Sequence, residues 1–233
     1  MESKSGCLIC GKELVYSGDS EKIDCYYCHQ SFDSNTKCID GHYICDNCHS
    51  APAFDIIQNF CNTTDLTDPL KIALALMKHP SVKMHGPEHH FLVPAVLITA
   101  YYNQLQDQDQ KVAKLEKAAK RATNILGGFC GYYGTCGAAV GTGIFISLIT
   151  DSTPLSKEEW KLSNLMTSKS LAIIADHGGP RCCKRNSHLA IREAVNFLIE
   201  HFDVKLELNE TLVCEFNSLN KECKKNDCPF FKD

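Results

Sequence analysis

The chain has 233 residues, 44 % of them hydrophobic and 22 % charged, which is enough apolar matter for a proper core at an ordinary globular charge content. Its net charge is −4, and the first fifty residues hold twice as many acidic as basic side chains, so an electrostatic nucleic-acid-binding face is not expected. Fifteen cysteines, an odd number in ligand-like pairs, follow a start at Met1-Glu2-Ser3-Lys4 without an apolar signal region; the expectation is a reducing cytoplasm, no export and no disulfide framework.

Residues 1–50 are expected to form a small metal-binding module with short β-hairpins. Cys7 and Cys10, Cys25 and Cys28, and Cys45 and Cys48 are each two residues apart, and Cys38 and His42 lie between the last two pairs. A two-residue gap lets two thiolates turn back onto one ion, and eight ligands suit two tetrahedral zinc ions. The pairs can close consecutively or interleave as a cross-brace. His29 and His49 stand by as spare ligands.

Residues 51–233 are expected to form a mainly helical, cysteine- and histidine-rich domain with a cysteine-containing carboxy-terminal tail. Asp68 before Pro69 signals a helix start, with Leu70, Ala73, Leu74 and Met77 on one face. Phe91 to Leu105 is apolar nearly all round, the mark of a central buried helix. Val112, Leu115, Ala119, Ala122 and Leu126 recur at three- and four-residue steps on a charged segment, a surface helix. Between Ile125 and Thr150 there is no charge, but seven glycines interrupt the stretch. The apolar remainder falls short of the roughly 20 residues a membrane span needs, so Ala138 to Ile149 reads as a core helix whose small first residues let other backbone approach closely. Ser156 with Glu159 reads as a capping box opening a helix through Trp160 to Ala175. Ser187 is a candidate cap for a further helix with Ile191, Val195, Leu198 and Phe202 on one face, and Val204 to Leu208 is a candidate strand.

Reactive groups concentrate on three loop-like segments of this domain. His85-Gly86-Pro87-Glu88-His89-His90 formally contains the inverted zinc-protease pattern in His85, Glu88 and His89, although Gly86 and Pro87 oppose the helix which that mechanism needs. Cys130 and Cys136 lie in a glycine-rich run. His177-Gly178-Gly179-Pro180-Arg181-Cys182-Cys183-Lys184-Arg185 puts two thiols among cations at an expected helix start, where both influences favour thiolate. Cys130, Cys136, Cys182 and Cys183, with His177 and Arg181, are the candidate cofactor-binding set, and those thiols with His85, Glu88 and His89 the candidate catalytic groups. The bland alternative makes the cysteines small buried hydrophobes. Cys214, Cys223 and Cys228 in the tail offer three more metal ligands, with Cys61 considered as a fourth.

The run from Cys25 is similar to the first six ligands of a RING finger, but the remaining pair stands in front, at Cys7 and Cys10; the module looks like a zinc ribbon, treble clef or displaced RING-type module. Across residues 51–233, the combination of His-Gly-Pro-Glu-His-His, Phe-Cys-Gly-x-x-Gly-x-Cys-Gly-Ala and Gly-Gly-Pro-Arg-Cys-Cys-Lys-Arg resembles an uncharacterised cysteine-rich domain family of anaerobic bacteria and methanogenic archaea, sometimes fused to methyltransferases of the S-adenosylmethionine type. The resemblance implies anaerobic metal or sulfur chemistry and assigns no catalytic residue. The leading expectation is a cytoplasmic metalloprotein with structural zinc and an iron-sulfur or other thiolate-held site for redox or sulfur-transfer chemistry. The alternatives are a zinc-dependent adaptor for a methyltransferase or redox partner protein, and a zinc hydrolase. Neither nucleic acid nor membrane is an expected partner.

Overall fold

A cysteine pair, rather than a glycine turn, joins the two strands found among the described residues, which in the computed structural model are 7, 9–45, 48, 52–208 and 211–232. Strand β1 (Leu14–Asp24) and strand β2 (Ser31–Cys38) pair antiparallel from Leu14 opposite Cys38 to Asp24 opposite Ser31, with an irregularity between Tyr16 and Glu21. Their connection is the Cys25 to Cys28 loop, closed by the Cys25 N–H on the Gln30 carbonyl at 2.9 Å. Nearly all of β1 is exposed, so the hairpin has no apolar face of its own to hold it.

Eight α-helices follow among the described residues: α1 (Ala53–Thr63), α2 (Pro69–Met77), α3 (Glu88–Leu105), α4 (Gln108–Ala122), α5 (Phe129–Tyr132), α6 (Gly137–Ile149), α7 (Glu158–Asp176) and α8 (Cys183–Phe202). The expected mainly helical fold with a small hairpin is the one observed. Helix α3 is the hub, touching α1, α2, α4, α6 and α8, as its apolar circumference requires. No helix among the described residues is long and apolar enough to cross a membrane.

Helix α2 starts as its sequence dictates. Pro69 supplies the first helical position, and an Asp68 carboxylate oxygen accepts the N–H groups of Leu70 and Lys71 at 2.8 and 3.2 Å. Asp68 is itself buried, so Asp68→Ala removes a cap inside the protein. We expect a loss of about 1–2 kcal/mol, measured as a lower urea midpoint, with Asp68→Asn recovering most of it.

Other helix starts differ from their sequence signals. Ser156 does not cap α7: its hydroxyl accepts the Thr153 N–H at 3.0 Å and so is spent on the preceding turn. Helix α8 begins four residues before Ser187, with Cys182 as its cap, the thiol sulfur accepting the Arg185 N–H at 3.4 Å. Leu126 lies beyond the end of α4 and is exposed. Residues 204–208 are irregular rather than a strand. Helix α1, for which the sequence analysis has no counterpart, buries Ile56, Ile57, Phe60 and Cys61 on one side at a helical spacing.

The module sits directly on the helices. Tyr27, fully buried, meets the ring of His79 edge-on at 4.7 Å and that of Phe60 at 6.0 Å. The neutral imidazole of His79 accepts the Ser81 N–H at Nδ1 and donates from Nε2 to the Cys48 carbonyl at 2.8 Å. One apolar core runs from the knuckle around Cys25 into the helical part.

Candidate functional site

The eight amino-terminal ligands converge in two groups, Cys7, Cys10, Cys38 and His42, and Cys25, Cys28, Cys45 and Cys48; within each, the donor atoms all lie within 4.8 Å of one another. The first ligand pair thus joins the third and the second joins the fourth, which is the interleaved arrangement of the two that spacing left open. Four thiolates around one zinc stand about 3.8 Å apart, the edge of a tetrahedron with bonds of about 2.3 Å. Cys28 and Cys45 sulfurs are 3.9 Å apart, Cys10 and Cys38 sulfurs 3.4 Å, and Cys7 Sγ is 3.8 Å from His42 Nδ1. The donors therefore fit tetrahedral ions, and the sets are compatible with zinc. The knuckles turn through positive φ at Gly11 (75°), His29 (55°) and Gly41 (84°), so that backbone N–H groups face sulfur: Ile9 to Cys7, Asp40 to Cys38 and Cys45 to Cys25, each at 3.4 Å. His29 belongs to such a turn and is not among the ligands; His49 lies outside the described residues.

Burial and the neighbouring sulfurs push the Cys48 thiol far up, whereas Cys25 is lowered, because donors from Cys45, Cys28 and Tyr27 outweigh its burial. Four sulfurs this close cannot all ionise without a cation between them.

In the helical part, the candidate set of Cys130, Cys136, Cys182 and Cys183 is divided. Cys130 and Cys136 line an open cleft of about 880 Å³ together with Arg181, Arg185, Asn186 and glycines 128, 131, 134, 178 and 179. Asn186 donates to Cys136 Sγ at 3.6 Å, and Cys183 lies near enough to feel the charges of both cleft thiols. Cys182 faces away from that cleft, into a narrow pocket shared with Cys214, Cys223, Cys228 and His188. Arg185 forms the wall between the two spaces. It is buried, and it donates to the Gly178 and Pro180 carbonyls at 2.7 and 3.2 Å and to Asn186 at 3.2 Å.

The flanking cations do not activate the paired thiols as their sequence position suggests. Lys184 is buried and donates to the Met77 and Val82 carbonyls at 2.8 and 3.3 Å rather than to either thiol. Burial raises both thiols, Cys183 to about 11, against the Gly86 N–H that favours its thiolate. His177 turns back to α7, donating from Nδ1 to the Ile173 carbonyl at 2.8 Å, and lines neither space.

His85, Glu88 and His89 diverge. His85 faces Asn220 at 3.3 Å, Glu88 accepts the Lys83 N–H at 2.8 Å, and His89 donates from Nε2 to the Lys83 carbonyl at 3.0 Å while Nδ1 faces the Ser187 hydroxyl at 3.3 Å. Helix α3 starts only at Glu88, so no helical turn carries His85 onto the face of His89, and the hydrolase reading falls. Cys61 is fully buried in α1 near Thr99 and Lys111, its thiol pushed up to about 12 by burial, and is not with the tail cysteines.

Burial also holds His89 neutral, its pKa pushed down to about 3, helped by Lys184, His90 and His85 and opposed by the Lys83 carbonyl. The unfolded chain takes up this proton near pH 6.5 and the native chain only near 3. Stability is therefore full above pH 6.5 and falls by about 1.4 kcal/mol per pH unit as the solution is acidified below it. His89→Gln should flatten the urea midpoint against pH between 7 and 4 relative to the parent; parallel curves would contradict a buried neutral imidazole.

Sequence reading takes Arg185 only as a cation flanking the thiols, and misses Asn186 and His188. Cys182, Arg185 and His188 recur at three-residue steps, and Cys183 and Asn186 on the neighbouring stripe, so following the helix expected to start at the paired thiols through to His188 would have revealed both faces. Among curated proteins and solved structures, none matches the chain significantly. Residues 57–231 match a family of unknown function, DUF5714, and the chain belongs to that family.

Proposed function

We propose that the protein is a cytoplasmic metalloprotein in which two zinc ions hold the amino-terminal module and the helical part performs thiol-based redox or sulfur-transfer chemistry on a small anionic molecule. The observation that carries this reading is the cleft. It brings Cys130 and Cys136, with Cys183 close by, against two guanidinium groups and a glycine-rich wall whose backbone is open to close approach. Arg181 would orient the anion, Asn186 would donate to the Cys136 sulfur, and glycine N–H groups would serve as further anion donors. For sulfur transfer, a cleft thiolate attacks the sulfane sulfur of the donor, forming a persulfide and releasing the shortened donor with the electron pair.

The test is to incubate anaerobic protein with inorganic polysulfide and locate the added sulfur by mass spectrometry. Persulfide on Cys130, Cys136 or Cys183, reduced by Arg181→Ala, supports the reading. Unmodified cleft thiols, together with an unchanged exchange rate with a thiol–disulfide buffer in the Cys130→Ser, Cys136→Ser, Cys183→Ser triple variant, would refute it.

A second reading, an adaptor for a methyltransferase or redox partner, is favoured by Val15, Tyr16 and Ile39, which are 45 %, 72 % and 64 % exposed on the hairpin. It predicts that Tyr16→Ser with Ile39→Ser abolishes a partner complex while zinc content and thiol reactivity persist.

A further inference from the structure

The pocket on the far side of Arg185 has no part in the cleft chemistry, yet it gathers the strongest unclaimed donor set in the helical part. Cys182 comes from the start of α8, and Cys214, Cys223 and Cys228 come from the tail, more than thirty residues later in the sequence. Three of these sulfurs accept backbone N–H groups at 3.4 Å: Cys182 from Arg185, Cys214 from Phe216 and Cys223 from Lys225. Such donors favour thiolate over thiol and are the usual surroundings of metal-bound sulfur.

Two further observations point to an anionic, metal-binding occupant. Lys184 and Arg185 are only 3 % and 4 % exposed, and among the described residues neither has a carboxylate within ion-pair distance. Two buried cations held by carbonyls, an amide and, for Lys184, the face of the Phe216 ring at 4.1 Å are costly unless negative charge lies near; Glu88 contributes some at Lys184, and the sulfurs around them are a further source. His188 also lines the pocket, 2 % exposed, and its Nδ1 has no hydrogen-bond partner. A buried imidazole nitrogen without a partner beside four sulfurs is a donor without an acceptor, or a ligand without its metal.

We infer that Cys182, Cys214, Cys223 and Cys228 hold a third metal centre, an iron-sulfur cluster, lying behind the cleft with Arg185 between the two. A cluster is favoured over a single ion by the spacing of the sulfurs. The two amino-terminal sets have all donors within 4.8 Å of one another, and no group drawn from this pocket does. Ligands of one tetrahedral ion must crowd to its four corners, whereas those of a cluster sit on different iron atoms and stand farther apart. The tail is then the strap that completes the centre: Lys224 donates to the His177 carbonyl at 2.7 Å, and the Cys214 N–H to the Phe230 carbonyl at 2.6 Å, tying its course to the loop before α8 and to its own end. This assignment stands whether or not the cleft thiols accept sulfur.

The experiment is anaerobic purification of the full chain, reconstitution with ferrous iron and sulfide, and measurement of zinc, iron, acid-labile sulfide and the visible spectrum per chain. The parent is expected to carry two zinc and about four iron with matching sulfide. Cys214→Ser with Cys228→Ser, and separately Cys182→Ser, should lose the iron, sulfide and visible band while keeping both zinc ions and the helical circular dichroism. Cys130→Ser should retain the iron, sulfide, visible band and both zinc ions. Should the double variant fail to fold, the single Cys182→Ser decides. A colourless reconstituted parent, a third zinc without sulfide, or iron that disappears with Cys130 and survives without Cys182 would each overturn the assignment.

Discussion

Cys25→Ala should release one of the two zinc ions and unfold the hairpin while leaving most helical circular dichroism in place. Cys25 is fully buried, within 4.8 Å of the donor atoms of Cys28, Cys45 and Cys48, and its sulfur receives the Cys45 N–H. Structural zinc of this kind contributes on the order of 10 kcal/mol, comparable with the whole stability of an ordinary domain. Nothing in the module can replace that sum, because β1 is exposed along nearly its entire length and the turn between the strands is itself made of metal ligands. Hydrogen exchange should show residues 14–38 losing protection together. Loosening should spread to α1 and the end of α2, where Tyr27 packs on Phe60 and His79 and where His79 holds the Cys48 carbonyl. Chelation of the parent should reproduce the same pattern. Two zinc ions retained in the variant, with the hairpin still protected, would show that the interleaved ligand sets are wrong.

How much of this was legible beforehand follows the distance over which each feature is encoded. The zinc ligands are local signals: a two-residue gap states that two sulfurs share an ion, and only the interleaving had to wait for the fold. The buried helix α3 announces itself by having no polar face. Helix starts were less legible where a group outside the usual capping set does the work, as Cys182 does for α8, or where a suitable residue is already engaged, as Ser156 is with Thr153. The division of Cys182 from Cys183 was hidden for a different reason. Adjacent residues at a helix start point about 100° apart, so which thiol faces which space depends on where the helix begins and where a distant tail returns. Cationic neighbours suggested activated thiols, but Lys184 and Arg185 are spent on carbonyls and an amide, and burial governs both thiols.

The glycines of α6 are the clearest case of sequence stating geometry, and Gly141→Val should be a strongly damaging change in the helical part. Pro94 lies inside α3 and has no N–H, which leaves the His90 carbonyl without its partner one turn on. Helix α6 approaches at that defect. A Cβ on Gly141 would lie 2.8 Å from the Pro94 ring, 3.2 Å from the His90 carbonyl oxygen and 3.2 Å from Val93 Cβ. A proline ring and a helix backbone cannot yield as a flexible side-chain end can, so the helices must separate. The expected cost is about 3 kcal/mol, which for a chain of this size lowers Tm by roughly 6–12 °C. Gly18→Ala, where an added Cβ meets nothing within 4 Å, is the neutral comparison. The consequence extends to the cleft, because the residue before α6 is Cys136 and its sulfur is held by Asn186 of α8. Displacing α6 should free that sulfur, so Cys136 should alkylate faster in Gly141→Val than in the parent, at temperatures where both remain folded. An unchanged Tm would mean that α6 and α3 are farther apart than the structure places them, and an unchanged alkylation rate would separate the helix contact from the geometry of the cleft.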